Sequence, residues 1–178
     1  MFMFAVIVLL SYTTVMALRQ NNLLKNALPY VLQGEQINKL ELIGTDSNLT
    51  EGKPELNSNF PLLLFIFSRP CSPCNENIIY WKKITEILEP LGITSYGILL
   101  TDLNSAVNFS TSAELNFKTF VPSDLHDFLK QFRLKLNSAQ TIVIQGKKVE
   151  YLKIGKLTGD DTIEIISQCK KIQEKISI

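Results

Sequence analysis

The chain opens on a long apolar stretch, Met1–Leu18, in which Ser11, Tyr12, Thr13 and Thr14 are the polar interruption and no side chain is charged. About 20 apolar residues span a bilayer as a helix, so this stretch is long enough with little to spare. Phe60–Phe67 is a nearly continuous apolar run, with the length and aromatic content of a strand buried on both faces. Asn75–Glu89 then puts Tyr80, Trp81, Ile84, Ile87 and Leu88 on one helical face, and Pro90 and Gly92 close the helix. Ile93–Leu100 is a second apolar strand. Strand, helix and strand at these lengths predict a parallel pair joined by a right-handed crossover.

The flanking pattern is weaker. Ile37–Ile43 has the form of a short edge strand, and Gly44–Asn59 collects Gly, Asp, Ser, Asn and Pro as a loop does. Thr101–Ser112 also reads as loop, with Asp102, Asn104, Ser105 and Asn108 among its members. Asp124–Phe132 predicts a short helix with Ser123 as N-cap and Leu125, Phe128, Leu129 and Phe132 facing inward. Thr141–Gln145 and Lys148–Ile154 surround Gly146-Lys147, a hairpin signal, and Gly159–Ile176 forms a last helix. The predicted class is α/β, ordered βαβ, helix, hairpin, helix. Residues 1–18 read as a transmembrane anchor or signal segment, 19–36 as a tether, and 37–178 as the folded domain.

Charge adds mainly an exclusion. With 18 Lys+Arg against 17 Asp+Glu in 178 residues, there is no electrostatic reason to expect nucleic acid as a partner. A hydrophobic content of 46% is enough for a packed core. No Lys or Arg precedes the apolar stretch, so the basic region of a signal peptide is missing, although Val15-Met16-Ala17 offers small residues for cleavage. An uncleaved single-pass anchor is the leading reading; a cleaved signal and a buried helix are the alternatives. Arg19 and Lys25 follow the stretch, and a positive-inside reading keeps the C-terminal part in the cytoplasm. The cysteine chemistry favours the extracytoplasmic side, so the two criteria point in opposite directions.

That chemistry rests on Cys71-Ser72-Pro73-Cys74, between the first buried strand and its helix. A helix N-terminus carries partial positive charge and free N–H groups, which favour a thiolate. Such sites lower a cysteine pKa from about 8.5 to between about 3.5 and 7.5, and the thiolate is the form that attacks a disulfide. Cys71 is expected to be the nucleophile and Cys74, one turn on, the resolving thiol. Pro73 fits the first turn, where its missing N–H costs little. Two other readings stand beside this one. A structural disulfide needs no exchange role, and a zinc site needs four ligands where only Cys169 and His126 remain as candidates. Cys169 lies on the apolar stripe Ile165, Cys169, Ile172, Ile176 and reads as core; His126 reads as surface or boundary. No metal and no cofactor is expected.

The stretch from about Phe60 to Lys170 resembles the thioredoxin-like superfamily, and within it the membrane-anchored redoxins of the TlpA and ResA kind. The likeness rests on Pro61–Ser68 before the Cys pair, on Trp81, and on Thr141–Ile144 through Gly155. The anchor with Arg19-Gln20 is also similar, more weakly, to the methylamine dehydrogenase accessory protein MauD. The resemblance implies a central mixed sheet flanked by helices, protein thiols or disulfides as substrates, and a redox partner that recycles the pair. Three positions depart from the family pattern. Ala139 stands where the family carries a cis-proline facing the pair, Pro70 replaces a tryptophan, and Phe65 replaces a buried acid. A cis bond without proline costs about 2.5–4 kcal/mol, so a trans Ser138–Ala139 peptide is expected. Glu76 is the carboxylate nearest the pair; it is a candidate to assist proton transfer from Cys74, or a solvated first-turn acid. Two further functions stand beside thiol–disulfide exchange: a non-catalytic accessory module on the same fold, for which Ala139, Phe65 and Pro70 speak, and a peroxiredoxin-type peroxidase, for which Ser68 fits the family pattern and Leu64 does not.

Overall fold

The computed structural model describes residues 11–16, 31, 33–45, 54–56, 60–68, 71–134 and 139–176. The regular elements are β1 (Leu42–Gly44), β2 (Leu62–Phe67), α1 (Ser72–Leu88), β3 (Ser95–Leu99), α2 (Leu103–Ser112), β4 (Lys118–Pro122), α3 (Leu125–Phe132), β5 (Gln140–Gln145), β6 (Lys148–Ile154) and α4 (Gly159–Ile176). A 3-10 turn, Glu89–Leu91, prolongs α1. It stops at Gly92, whose φ of 75° is the left-handed cap that glycine adopts without strain.

All six residues of β2 are buried, because the strand has a layer on each side. Side chains alternate along a strand. Leu63, Phe65 and Phe67 therefore join one cluster, with Trp81 and Ile84 of α1, Phe109 of α2, and Ile165 and Cys169 of α4. Leu62, Leu64 and Ile66 join the other, with Ile98, Phe120, Ile142 and the α3 residues Phe128 and Phe132. The sheet is mixed, with order β1-β4-β3-β2-β5-β6. β2, β3 and β4 run parallel, β5 and β6 pair antiparallel beyond β2, and β1 closes the opposite edge against β4.

The βαβ unit, the hairpin and the last helix lie where the hydrophobic pattern places them. Thr101–Ser112 is not a loop: Leu103–Ser112 is helix α2, started by Asp102, whose Oδ1 accepts from the Ser105 N–H at 2.9 Å. Its polar residues face solvent, and Ala106 and Phe109, three apart, bury its inner side. β4 was also hidden from the pattern, being five residues long with only two large apolar side chains. The N-cap of α3 is Asp124, accepting from the Asp127 N–H at 2.9 Å. Ser123 instead donates through Oγ to the Glu41 carbonyl and joins α3 to the β1 edge. The edge strand expected at Ile37–Ile43 is confined to Leu42–Gly44, with an isolated bridge from Gln36 to Lys148. On α1, Ile87 is exposed and Tyr80 only partly buried, so its inner face is narrower than expected.

Of the anchor expected at Met1–Leu18, residues 11–16 are described and helical; the rest, and most of the 19–36 tether, lie outside the described residues. No helix among the described residues is long and apolar enough to cross a membrane.

Candidate active site

β2 ends at Phe67, and Cys71 caps α1. Cys71 is extended, with φ −149° and ψ 107°, and its Sγ accepts from the Cys74 N–H at 3.3 Å. A sulfur doing the work of a capping oxygen moves the start of α1 to Ser72, three residues before the expected Asn75, with Pro73 in its first turn. Cys71 and Cys74 form a disulfide, with Cα atoms 5.2 Å apart. Cys71 keeps 5% of its surface exposed and Cys74 only 1%, so the first sulfur is the more accessible.

The floor of the site is aromatic. The Phe65 ring stacks on Trp81 at 5.2 Å and meets Phe117 edge-on at 5.0 Å, so this position supplies an aromatic ring and not a carboxylate. The Trp81 Nε1–H donates to Thr141 Oγ1 at 2.9 Å, joining α1 to β5. Ala139, one residue before β5, is fully buried and belongs to the same cluster as both cysteines. Its carbonyl accepts from the Gly155 N–H at 2.8 Å. Pro70 and the Ser138–Ala139 peptide lie outside the described residues.

Glu76 stands in the second turn of α1, not the first. Its carboxylate pairs with the Lys156 ammonium and accepts from Ser72 Oγ at 3.3 Å. The lysine partner holds it below the usual carboxylate range, and the same pairing raises Lys156. Cys169 is buried in the core, where desolvation pushes its thiol up to about 12. His126 is exposed on α3, in the layer opposite the cysteines.

The sequence reading missed Asn77. It lies one turn beyond Cys74, fully buried, with both ends of its amide bonded to the loop after β6. The signal was available: between Cys74 and Trp81, on the inward face of an amphipathic helix, the chain carries a polar residue.

No protein-family model matches the chain, and no curated protein matches its sequence. Solved structures match its fold. A candidate thiol:disulfide interchange protein DsbE from Chlorobium tepidum superposes with a TM-score of 0.64 at 15% identity, over 80% of this chain and 99% of that one. A thiol-disulfide isomerase from Corynebacterium glutamicum gives 0.61 at 13% identity, over 76% and 96%. The peroxidoxin BcpB from Mycobacterium tuberculosis gives 0.59 at 17% identity, over 79% and 97%. At such identities the likeness is one of fold, and it reaches both thiol–disulfide proteins and peroxidoxins. The chain has a thioredoxin-like fold with a Cys-x-x-Cys pair, Cys71 and Cys74, at the N-terminus of α1.

Proposed function

We propose that this protein is a thiol–disulfide oxidoreductase that exchanges electrons with protein disulfides or dithiols. The observation that carries the reading is the Cys71–Cys74 disulfide at the start of α1, with the Cys71 sulfur already accepting a backbone N–H. In the reduced protein that N–H and the helix N-terminus stabilise a thiolate on Cys71. This thiolate attacks one sulfur of a substrate disulfide, a mixed disulfide forms, and the other substrate sulfur leaves as a thiolate. Cys74 loses its proton to solvent and attacks Cys71 Sγ. The internal disulfide closes, and the substrate leaves reduced by two electrons. A dithiol partner protein returns the pair to its reduced form, and the reverse sequence oxidises a substrate dithiol. Glu76, paired with the Lys156 ammonium and accepting from Ser72 Oγ, orients Lys156 in this reading.

Within the fold we place the chain beside the membrane-anchored redoxins of the TlpA and ResA kind. Residues 1–18 anchor it, and the domain lies on the extracytoplasmic side, where disulfide chemistry persists. A carbonate wash of membranes carrying the full chain tests the anchor: release into the supernatant refutes it.

The decisive assay is turnover of insulin disulfides by the full chain in detergent, with dithiothreitol as reductant. Activity above the uncatalysed rate, abolished in Cys71→Ser, is the expected result. No acceleration points to the second reading, a non-catalytic accessory module, which the aromatic packing of Phe65 favours by leaving no acid beneath the pair. Thiol-dependent consumption of peroxide without insulin turnover points to a peroxidase.

A further inference from the structure

Each end of the buried Asn77 amide has a hydrogen-bond partner. Its Nδ2 donates to the Gly155 carbonyl at 2.8 Å, and its Oδ1 accepts from the Leu157 N–H at 2.7 Å. Gly155 in turn donates its own N–H to the Ala139 carbonyl at 2.8 Å. A line of hydrogen bonds thus runs from the helix that carries the disulfide, through the turn after β6, to the residue packed in the same cluster as both cysteines. The turn is held a second time, because Lys156 pairs with Glu76, the residue before Asn77. Gly155 has φ +85°, a conformation other residues rarely adopt, so the chain makes a tight corner at the point where the amide grips it.

Packing alone does not call for asparagine here. An amide buried on the inward face of an amphipathic helix costs free energy unless every end is paired, and an apolar side chain would fill the space without that cost. What the amide supplies is direction: a donor and an acceptor that fix the turn at one height against α1.

We infer that Asn77 is a positioning residue of the redox site, which locks the rim formed by the Gly155–Leu157 turn to the helix bearing Cys71 and Cys74, so that macromolecular substrates meet a preset edge beside the pair. The inference rests on the proposed thiol–disulfide activity. A small disulfide reaches Cys71 without touching that edge. A polypeptide disulfide brings flanking chain against whatever borders the pair, so its rate depends on where the rim stands.

The test uses the full chain with Asn77→Leu, which keeps the bulk and removes both bonds; Asn77→Ser serves if the leucine variant does not fold. Exchange rates are measured with a disulfide-bonded peptide and with hydroxyethyl disulfide, and amide hydrogen exchange is followed at Gly155 and Leu157. The net worth of the two bonds together corresponds to about a tenfold change in rate. The expected result is a fall of about tenfold for the peptide and less than about twofold for the small disulfide, with faster exchange at both amides. Equal losses on the two substrates, or no loss on either, overturn the positioning role. A parent protein inert towards both substrates overturns the proposed function instead. The Gly155 amide then decides the coupling: protection unchanged in the variant overturns it, and lost protection sustains it.

Discussion

Replacing Gln140 by methionine should make the domain more stable. Gln140 is fully buried, and neither its Nε2 nor its Oε1 has a hydrogen-bond partner among the described residues. It lies between Ala139 and Thr141, which face the cysteine layer; its strand-mates Ile142 and Ile144 lie in the opposite cluster, and alternation puts the Gln140 amide on their side. A buried donor or acceptor left unpaired costs about 1–3 kcal/mol, whereas an apolar group of the same shape carries no such cost. Methionine matches glutamine in length and flexibility and adapts to irregular gaps. The two orphaned ends belong to one side chain that can rotate to relieve either, so the expected gain is that of one group, about 1–3 kcal/mol. For a domain of this size it corresponds to roughly 2–4 °C in Tm per kcal/mol. Equilibrium urea unfolding of parent and variant reads the change as a higher midpoint at unchanged slope. Thiol-exchange rates should stay within about twofold, because the substitution lies across the sheet from the pair. A variant less stable than the parent by about 1 kcal/mol or more would show that the amide is bonded, and would sink the argument.

Trp81→Phe should act with the opposite sign, costing roughly 1–3 kcal/mol, since it leaves the buried Thr141 Oγ1 without the Trp81 N–H; a variant as stable as the parent in the same urea experiment contradicts this. In the reduced protein Cys71 should be alkylated first, and Cys169, with its thiol at about 12, should remain unlabelled until unfolding. Mass spectrometry of partial labelling reads the order, and early modification of Cys169 counts against it. The Tyr151 hydroxyl is pushed up to about 12, first by burial and then by the Glu164 carboxylate to which it donates. In the unfolded chain it titrates near pH 10, so its contribution is complete below about pH 10 and is lost as the pH rises towards 12. Tyr151→Phe should flatten the alkaline fall in stability, and an unchanged fall would assign it to other groups.

The sequence by itself determined the parts of this protein that depend on local pattern. The apolar run of β2, the helix that follows it, the Gly146-Lys147 hairpin and the span of α4 are properties of neighbouring residues, and each of these elements is present where that pattern puts it. The cysteine pair was legible for the same reason, since a strand end, a helix start and two intervening residues are all local. Tertiary structure decided what depends on distant partners. α2 exists because Ala106 and Phe109 find a cluster to enter, although its own residues read as loop. β4 is a strand because β3 and β1 pair with it on either side. Ser123 lies one residue outside the helix that Asp124 caps, and its hydroxyl bonds instead to the Glu41 carbonyl, 82 residues away. Asn77 carries no local signal of its role, and only the arrival of Gly155 and Leu157, about 80 residues further on, makes it a clamp. A polar side chain within a helix has a meaning fixed by its hydrogen-bond partners, and those come from segments that only the folded chain brings together.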